Sequence, residues 1–262
     1  MNAILTADQL RSAVPSAFAV SPWERMSDRY KMVPTCEVVD ILGGQGYRPV
    51  RAMQSSSRIE GKGAFARHMI RFRHDEHLGP IVIGTEVPEL VLTNSHDGSS
   101  AYRFMAGIFR LVCSNGLTVQ SADFGSIGVR HSGGADFRKR IEDATFGIAA
   151  GLPRTVARIE EWKQIELKPA HREAFAAAAL ELREVKQVEP GRMLAVRRAE
   201  DRKPDLWTTA NVIQENLIKG GLPGRASTGR RSTTRPVKSV GEDLRLNKAL
   251  WVLTEKLAAI VS

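Results

Sequence analysis

Cysteine is scarce in this chain of 262 residues, since only Cys36 and Cys113 occur and they lie far apart. This usage excludes a disulfide-rich framework and a paired-cysteine metal site, and it fits a reducing compartment. Long apolar runs are absent as well, because none approaches the roughly 20 residues that span a bilayer. The first residues contain no basic segment followed by an apolar one, so they predict no signal peptide. We therefore expect a cytoplasmic protein without membrane attachment.

Acidic residues are also fewer than basic residues. The chain has 29 Asp and Glu residues against 38 Lys and Arg residues, which gives a net charge of +9. A positive excess of this size favours polyanionic partners, although it specifies no fold. Hydrophobic residues make up 42% of the chain, enough for one sizeable core. No recognisable catalytic motif and no cofactor motif occurs, so we expect a binding protein and not an enzyme.

Strand patterns dominate the first half of the chain. Alternating or short apolar segments predict strands over residues 47–54, 65–73, 81–84 and 89–94. A short helix from Pro34 to Leu42 is predicted before the first of them. Asn115-Gly116 lies between two apolar runs, which is a strong hairpin signal. Residues 99–112 are equally compatible with a helix that leads into this turn.

Helical periodicity begins after Gly134 and continues to the end of the chain. Apolar residues three and four positions apart predict helices over about 136–150, 153–166, 170–186, 206–217 and 242–260. In the last of these helices Leu246, Leu250, Leu253 and Leu257 should be buried. Strands followed by helices predict an α+β fold, with an antiparallel or mixed sheet in the first half packed by helices of the second half. We expect an N-terminal arm over 1–33 and a single α+β domain over 34–262, strand-rich over 34–133 and helix-rich over 134–262.

A basic loop over residues 219–238 is the strongest functional feature of the sequence. It contains no acidic residue, and its six cations are Lys219, Arg225, Arg230, Arg231, Arg235 and Lys238. Arginine matches the geometry of phosphate oxygens, and the intervening Gly, Ser and Thr residues allow the backbone to approach the same anion. A solvated flexible loop would explain the same composition, but six unopposed charges favour a phosphate site.

Two further groups could extend such a site. Asn211 and Gln214 lie beside the apolar stripe of the helix that leads into the loop, and amides of this kind can bond base edges. They would serve equally well as the polar flank of an amphipathic helix. Arg67, Arg71 and Arg73 alternate with apolar residues and could form a basic sheet surface that follows a nucleic-acid strand. An ordinary solvent-facing side of the strand gives the same pattern.

His96 and Asp97 lie within a polar segment over residues 94–100. As metal ligands or as an acid–base pair they would serve a metal-dependent nuclease or another hydrolase, with His131 as a third ligand. The segment is rich in Asn, Asp, Ser and Gly, which form tight turns by bonding to their own backbone. The turn is the interpretation we favour, and we expect no bound metal.

Three stretches together resemble a known family. They are residues 65–73, residues 94–116 with the segment Gly107-Ile-Phe-Arg-Leu-Val-Cys-Ser-Asn-Gly116, and residues 211–250, which begin Asn211-Val-Ile-Gln-Glu-Asn216. This combination resembles the phage/plasmid-like family called domain of unknown function 932. The resemblance implies a gene carried by prophages, plasmids or related mobile elements. It implies no established biochemistry, since the family name declares the function unknown.

The leading hypothesis is therefore a nucleic-acid-binding accessory protein of a mobile element. DNA held through its phosphate backbone is the expected partner, and single-strand binding or annealing is one version. No membrane partner is expected, and the oligomeric state is left open, a homo-oligomer included. The alternatives are the metal-dependent nuclease at His96 and Asp97, and a protein-binding inhibitor of a host defence enzyme whose basic loop contacts an acidic surface.

Overall fold

The structure is a computed structural model that describes residues 4–27, 30–79, 86–110, 117–119, 127–129, 136–183, 188–225 and 228–261. The chain divides into two compact units. The first contains residues 1–111, 120–153 and 239–241, and the second contains residues 112–119, 154–238 and 242–262. None of the described helices combines the length and the apolar content needed to cross a lipid bilayer.

An antiparallel sheet forms the centre of the first unit. Its four long strands are β1 (Tyr47–Gln54), β2 (His68–His74), β3 (Glu86–Asn94) and β4 (Tyr102–Arg110), and each pairs with the next in sequence. Of two further short strands, β6 (Ile127–Val129) pairs antiparallel with β4, and β5 (Leu117–Val119) belongs to the second unit. The predicted strand over 47–54 is confirmed. The strand predicted from residue 65 begins at His68, because Lys62–Phe65 forms a 3-10 turn.

Three helices cover one face of this sheet in the first unit. They are α1 (Ala7–Ala13), α2 (Thr35–Gly44) and the first part of α3 (Asp136–Trp162). A capping box starts α1, where the Thr6 hydroxyl accepts from the backbone of Gln9 and the Gln9 side chain accepts from the backbone of Thr6. The core contains Leu10 and Val14 from the N-terminal segment, Val38 and Leu42 from α2, Ile70, Phe72, Leu90, Leu92 and Phe104 from the sheet, and Phe137, Ile141, Ala144 and Ile148 from α3.

Helix α3 differs from the prediction at Pro153. The sequence predicts a break there between two helices, whereas one helix of 27 residues continues through it. Proline removes one backbone donor and strains the preceding turn, but its fixed φ is compatible with a helix. The proline costs one helical hydrogen bond, whereas apolar residues on both sides of it are buried, among them Ile141 and Ile148 before it and Ile159 and Trp162 after it.

The second unit is mainly helical. It contains the last part of α3, the helices α4 (Pro169–Leu182) and α5 (Leu206–Lys219), and nearly all of α6 (Val240–Val261). A short hairpin of β7 (Pro223–Arg225) and β8 (Arg231–Thr233) lies between α5 and α6. Trp162, Trp207 and Trp251 pack together, with ring centroids 4.5–6.4 Å apart. Three tryptophans in contact bury a large apolar area and hold three of the helices together.

The buried face of α6 is rotated relative to the prediction. Leu246 and Leu250 are fully buried, but Leu253 and Leu257 are only partly so. Trp251 and Thr254 are buried in their place. The spacing of leucines alone therefore misplaces the core face, because the largest side chain in the helix is the tryptophan.

The predicted α+β class is confirmed, with the antiparallel sheet in the first half and helices in the second. Several local predictions lie outside the described residues. They are the strand over 81–84, the Asn115-Gly116 hairpin, the position of Cys113 and the position of His131.

Candidate nucleic-acid interface

The predicted basic loop contains a short antiparallel hairpin, called here the cationic hairpin (β7, β8 and the loop that joins them). Its register pairs Pro223 with Thr233, Gly224 with Ser232 and Arg225 with Arg231. Side chains directly opposite each other in an antiparallel pair lie on the same face, and like charges in that position destabilise the pair. Arg225 and Arg231 are both exposed. An anion bound beside this face could accept hydrogen bonds from both guanidinium groups.

A cavity of about 1000 Å³ lies against the cationic hairpin, and it is called here the cationic cleft. Both hairpin strands form one part of its wall, and a segment that starts at Val188 and includes a 3-10 turn (Pro190–Leu194) forms another. The lining residues are Val188, Glu189, Pro190, Arg192, Pro223, Gly224, Arg225, Arg231, Ser232 and Thr233. Three arginines and two hydroxyl residues therefore line one cavity, a composition suited to an anion with several oxygens.

Most cations of this region have no acidic partner. Arg192, Arg230, Arg231, Arg235 and Lys238 are exposed and form no salt bridge with any residue that the structure describes. Arg225 donates through Nη1 to the carbonyl of Gly229 at 3.3 Å. Lys219 differs from the rest, because its Nζ lies 2.6 Å from Oε1 of Glu215. Five of these cations thus keep their full charge for an external ligand, whereas Lys219 is neutralised.

Gly220 fixes the base of the cationic hairpin. It ends α5 with a φ of +65°, which favours glycine, and a Cβ at this position would lie 2.7 Å from the backbone of Thr234 and Arg235. The next two residues hydrogen-bond across the base, from Gly221 N to Thr234 O at 2.8 Å and from Leu222 N to Thr234 Oγ1 at 3.0 Å. The hairpin is therefore held at a defined angle to the end of α5.

Two further arginines hold the same base. Arg183 donates through Nη1 to the carbonyl of Leu217 at 2.7 Å and through Nη2 to the carbonyl of Arg235. Arg197 donates to Asn216 Oδ1 at 3.1 Å and to the carbonyl of Gly220 at 2.9 Å. Guanidinium groups at the C-terminal end of a helix satisfy its last carbonyls and the negative end of its dipole. These cations are used internally, unlike those of the cationic cleft.

Glu215 organises the last turn of α5. It pairs with Arg198 and with Lys219, and its side chain is almost fully buried. Burial raises the pKa of this carboxyl, but the hydrogen bonds from Arg198 and Lys219 outweigh it, so the pKa is lowered. Glu215 therefore remains ionised and holds Lys219 against the helix.

The two amides predicted as secondary contacts lie inside the second unit. Asn211 and Gln214 are both buried. Asn211 Nδ2 donates to the carbonyl of Trp207 at 2.8 Å, and Gln214 Nε2 donates to Asn247 Oδ1 at 2.9 Å. Gln214 therefore joins α5 to α6, whereas Asn211 bonds to the preceding turn of α5.

The arginines of β2 are also placed inside the protein. Arg71 and Arg73 are buried and share Glu89, with Arg71 Nε 2.7 Å from Oε2 and Arg73 Nη2 2.7 Å from Oε1. The Arg71 guanidinium also lies over the ring of Phe109, with its central carbon 3.0 Å from the ring centroid. Burial lowers the pKa of Arg71 to about 10, although Glu89 opposes the shift. Arg67 is half-buried and donates to the carbonyl of Ser99 at 3.1 Å.

His96 belongs to a buried polar network in the first unit. The hydroxyl of Thr35, in the first turn of α2, lies 2.9 Å from Nε2 of His68 and 3.1 Å from Nε2 of His96, and Asn94 Nδ2 donates to it at 3.1 Å. The hydroxyl of Ser16 lies 2.8 Å from Nδ1 of His68. A hydroxyl has one proton, so Thr35 can donate to only one imidazole and must accept from the other. This network joins α2 and the N-terminal segment to β2 and β3.

Asp97 caps its own turn, as predicted for this segment. Its carboxylate accepts from the backbone and hydroxyl of Ser99 at 3.0 and 2.6 Å and pairs with Lys62 at 3.1 Å. Burial raises the pKa of Asp97, but these bonds together with Ser95 outweigh it and lower the pKa to about 2. Within the described ranges no three His, Cys, Asp or Glu side chains converge on one point.

Arg192 and Glu189 are the residues of the cationic cleft that sequence reasoning missed. Arg192 is 27 positions before Lys219 and belongs to no charge run. The Pro190-Gly191 pair before it signals a turn but not its position against the hairpin. Only the fold brings this turn beside the hairpin.

Comparison with known proteins finds a matching family model and similar proteins. A family model described as "Domain of unknown function (DUF932)" matches residues 22–251. Similar proteins include UPF0380 protein YafZ and UPF0380 protein YfjQ, both of Escherichia coli (strain K12). Each is 38% identical to this chain over 256 residues, which cover 97% of this chain and 91% of the relative. No solved structure matches.

Proposed function

This chain belongs to the DUF932 family, and because that description assigns no activity, we propose a function from the cationic cleft: the protein binds nucleic acid through its phosphate backbone. The observation that carries the proposal is the cross-strand pair of Arg225 and Arg231 at the wall of a cavity that also contains Arg192. Because the two residues are opposed on one face of the hairpin, they place two guanidinium donors beside the same cavity, and such groups suit phosphate oxygens.

The division of the cations supports this function. Arg183, Arg197 and Arg198 bond to carbonyls or carboxylates, whereas Arg192, Arg230, Arg231, Arg235 and Lys238 form no salt bridge with described residues. Cations that serve only solubility need no common location, but these cluster on and beside one hairpin. Contacts of this kind neutralise phosphates and carry no sequence information.

The biological setting is part of the proposal. The resemblance to phage and plasmid proteins implies a gene of a mobile element, so the binding would serve its replication, recombination, maintenance or defence evasion. DNA is the expected polymer. No observation favours the metal-dependent nuclease or the protein-binding inhibitor over this function.

The test is the triple substitution of Arg230, Arg231 and Arg235 by alanine. Its affinity for labelled single-stranded and double-stranded DNA should fall for every sequence alike. The slope of log affinity against log salt should become less steep by roughly 0.7–0.9 for each phosphate that the variant no longer neutralises. Titrations between about 50 and about 200 mM salt measure both quantities. Stability should change little, because the three side chains are exposed.

The matched control replaces Arg154, Lys248 and Lys256 by alanine, which removes the same charge. These three are exposed in the second unit and do not line the cationic cleft. The control should retain most of the affinity and the salt slope of the parent. Equal binding by the parent and the hairpin variant at both salt concentrations would refute the assignment, and the protein-partner alternative would then be preferred.

A further inference from the structure

We infer that the ligand of the cationic cleft is a single phosphodiester chain whose bases are not read, with Arg192 as its contact opposite the hairpin and Glu189 as a residue that limits affinity. This inference rests on the proposed function and specifies its substrate. Three properties of the cleft support it: its size, the chemistry of its lining and the placement of a carboxylate, the one found among the described lining residues.

The size of the cleft favours one strand. Its volume of about 1000 Å³ lies at the upper end of the roughly 300–1000 Å³ typical of pockets that enclose a single small ligand. A flexible single strand can bend a few nucleotides into such a space. A duplex is stiff, so it could present phosphates at the mouth of the cleft but could enter it only by costly deformation.

The lining of the cleft favours the backbone over the bases. Proteins that bind single strands by their bases stack them on aromatic rings. None of the described residues that line the cleft is aromatic, and the uncharged part of the lining consists of Val188, two prolines, Gly224 and two hydroxyl side chains. Guanidinium and hydroxyl groups are donors suited to phosphate oxygens. The chain's low aromatic content, 6%, is in keeping with this.

Glu189 places a negative charge in the lining of the cleft, where it would repel a phosphate ligand. It is exposed, lines the same cavity and is three positions before Arg192. A carboxylate beside a phosphate chain is repulsive, so Glu189 weakens binding. Replacement by glutamine keeps the shape and removes the charge. The two wall residues Arg192 and Glu189 should therefore have opposite effects on affinity.

The experiment compares three ligands of about 20 nucleotides, longer than the roughly 4–16 nucleotides that one single-strand domain covers. They are a mixed-sequence single-stranded DNA, its duplex and the same strand with abasic sites throughout its centre. Parent protein should bind the single strand at least about tenfold more tightly than the duplex, and the abasic strand within about threefold of the normal one. Arg192→Ala should weaken single-strand binding roughly tenfold, and Glu189→Gln should strengthen it roughly twofold to fivefold.

The controls are Lys256→Ala for Arg192 and Glu161→Gln for Glu189, since both control residues are exposed on helices and do not line the cleft. Neither should change affinity by more than about twofold. Equal or tighter binding of the duplex, failure to bind the abasic strand, or no effect of Arg192→Ala would each overturn the inference. In the first two cases the proposed function would survive if the triple hairpin variant still weakened binding. Binding to none of the three ligands would remove both.

Discussion

Glu89 is bonded to two buried arginines, Arg71 and Arg73. Removing its carboxylate would leave the guanidinium groups of Arg71 and Arg73 buried beside each other without a counter-charge. Breaking a buried ion pair from one side costs roughly 3–5 kcal/mol of stability. We therefore expect Glu89→Ala to lower the free energy of unfolding by about that amount, measured by urea denaturation.

Asp75 provides the comparison for Glu89, since it pairs with Arg48 at 2.8 Å but both side chains are 40% exposed or more. Asp75→Ala should change the denaturation midpoint only slightly, because exposed ion pairs are weak. A change at Glu89 no larger than the change at Asp75 would show that the buried charges are compensated elsewhere.

Asp97 gives the molecule a pH-dependent contribution with a defined sign. Its pKa is about 2 in the folded protein against an ordinary value of 3.8. A lowered pKa means that the carboxylate stabilises the fold above about pH 4 and that this contribution is lost as the pH falls toward 2. At pH 6 we expect Asp97→Asn to be less stable than the parent by about 1–2 kcal/mol.

That difference should shrink by roughly half near pH 3, where the unfolded carboxyl is largely protonated. Thermal or urea unfolding of both proteins from pH 6 to pH 3 measures it. A difference that stays constant over this interval would mean that Asp97 acts through the shape of its turn and not through its charge.

Single residues were the hardest level to predict. Alternation along residues 65–73 separates the two faces of the strand, but it cannot show that both faces are covered. Arg71 and Arg73 are buried because Glu89 on the neighbouring strand neutralises them, and that partner is 16 or more positions away in sequence. The same limit applies to Gln214, whose amide partner Asn247 is in another helix.

Gly220 connects α5 to the cationic hairpin, and its backbone conformation sets the position of the hairpin. Gly220→Ala places a Cβ 2.7 Å from the backbone of residues 234 and 235, at a φ that side chains rarely adopt. We expect stability to fall by roughly 1–3 kcal/mol and nucleic-acid binding to weaken, although no cation is removed. Urea denaturation and a DNA titration measure the two effects.

Gly191 is the matched control for this substitution, because it lies in the wall turn beside Arg192 and a Cβ there meets nothing within 4 Å. Gly191→Ala should leave stability and binding close to those of the parent. If Gly220→Ala binds DNA like the parent despite its lower stability, the angle of the hairpin does not control the site.

Helices and strands were predicted well where the apolar residues follow a single spacing, either every second residue or every three to four residues. The strand over 47–54 and the helix that starts at Leu206 follow directly from alternation and from apolar spacing. Pro153 was misleading, because a breaker residue is a local signal and the buried stripes on both sides of it determine the helix. The α6 face was misplaced for a similar reason, since Trp251 outweighs Leu253.

For the whole molecule, the net charge suggests the class of partner but does not indicate where on the fold that partner would bind. The excess of nine positive charges is spread over 38 basic residues, and the fold uses several of them to hold helix ends and a sheet. The basic loop could be found because it contains no acidic residue. Arg192 could not, because its proximity to Arg225 and Arg231 depends on the packing of the whole second unit. The domain boundaries and the nucleic-acid partner stay predictions.

The opposed pair of Arg225 and Arg231 would couple the folding of the hairpin to the proposed binding of a polyanion. Like charges at directly opposed positions weaken the pairing of two short strands, and an anion bound beside both strands strengthens it. Dissolved salt would then act in two directions. It screens the repulsion and steadies the unoccupied hairpin, while it weakens the attraction of a polyanion for the same residues. The hairpin should therefore be most ordered at the two extremes, in concentrated salt without ligand and in dilute salt with it.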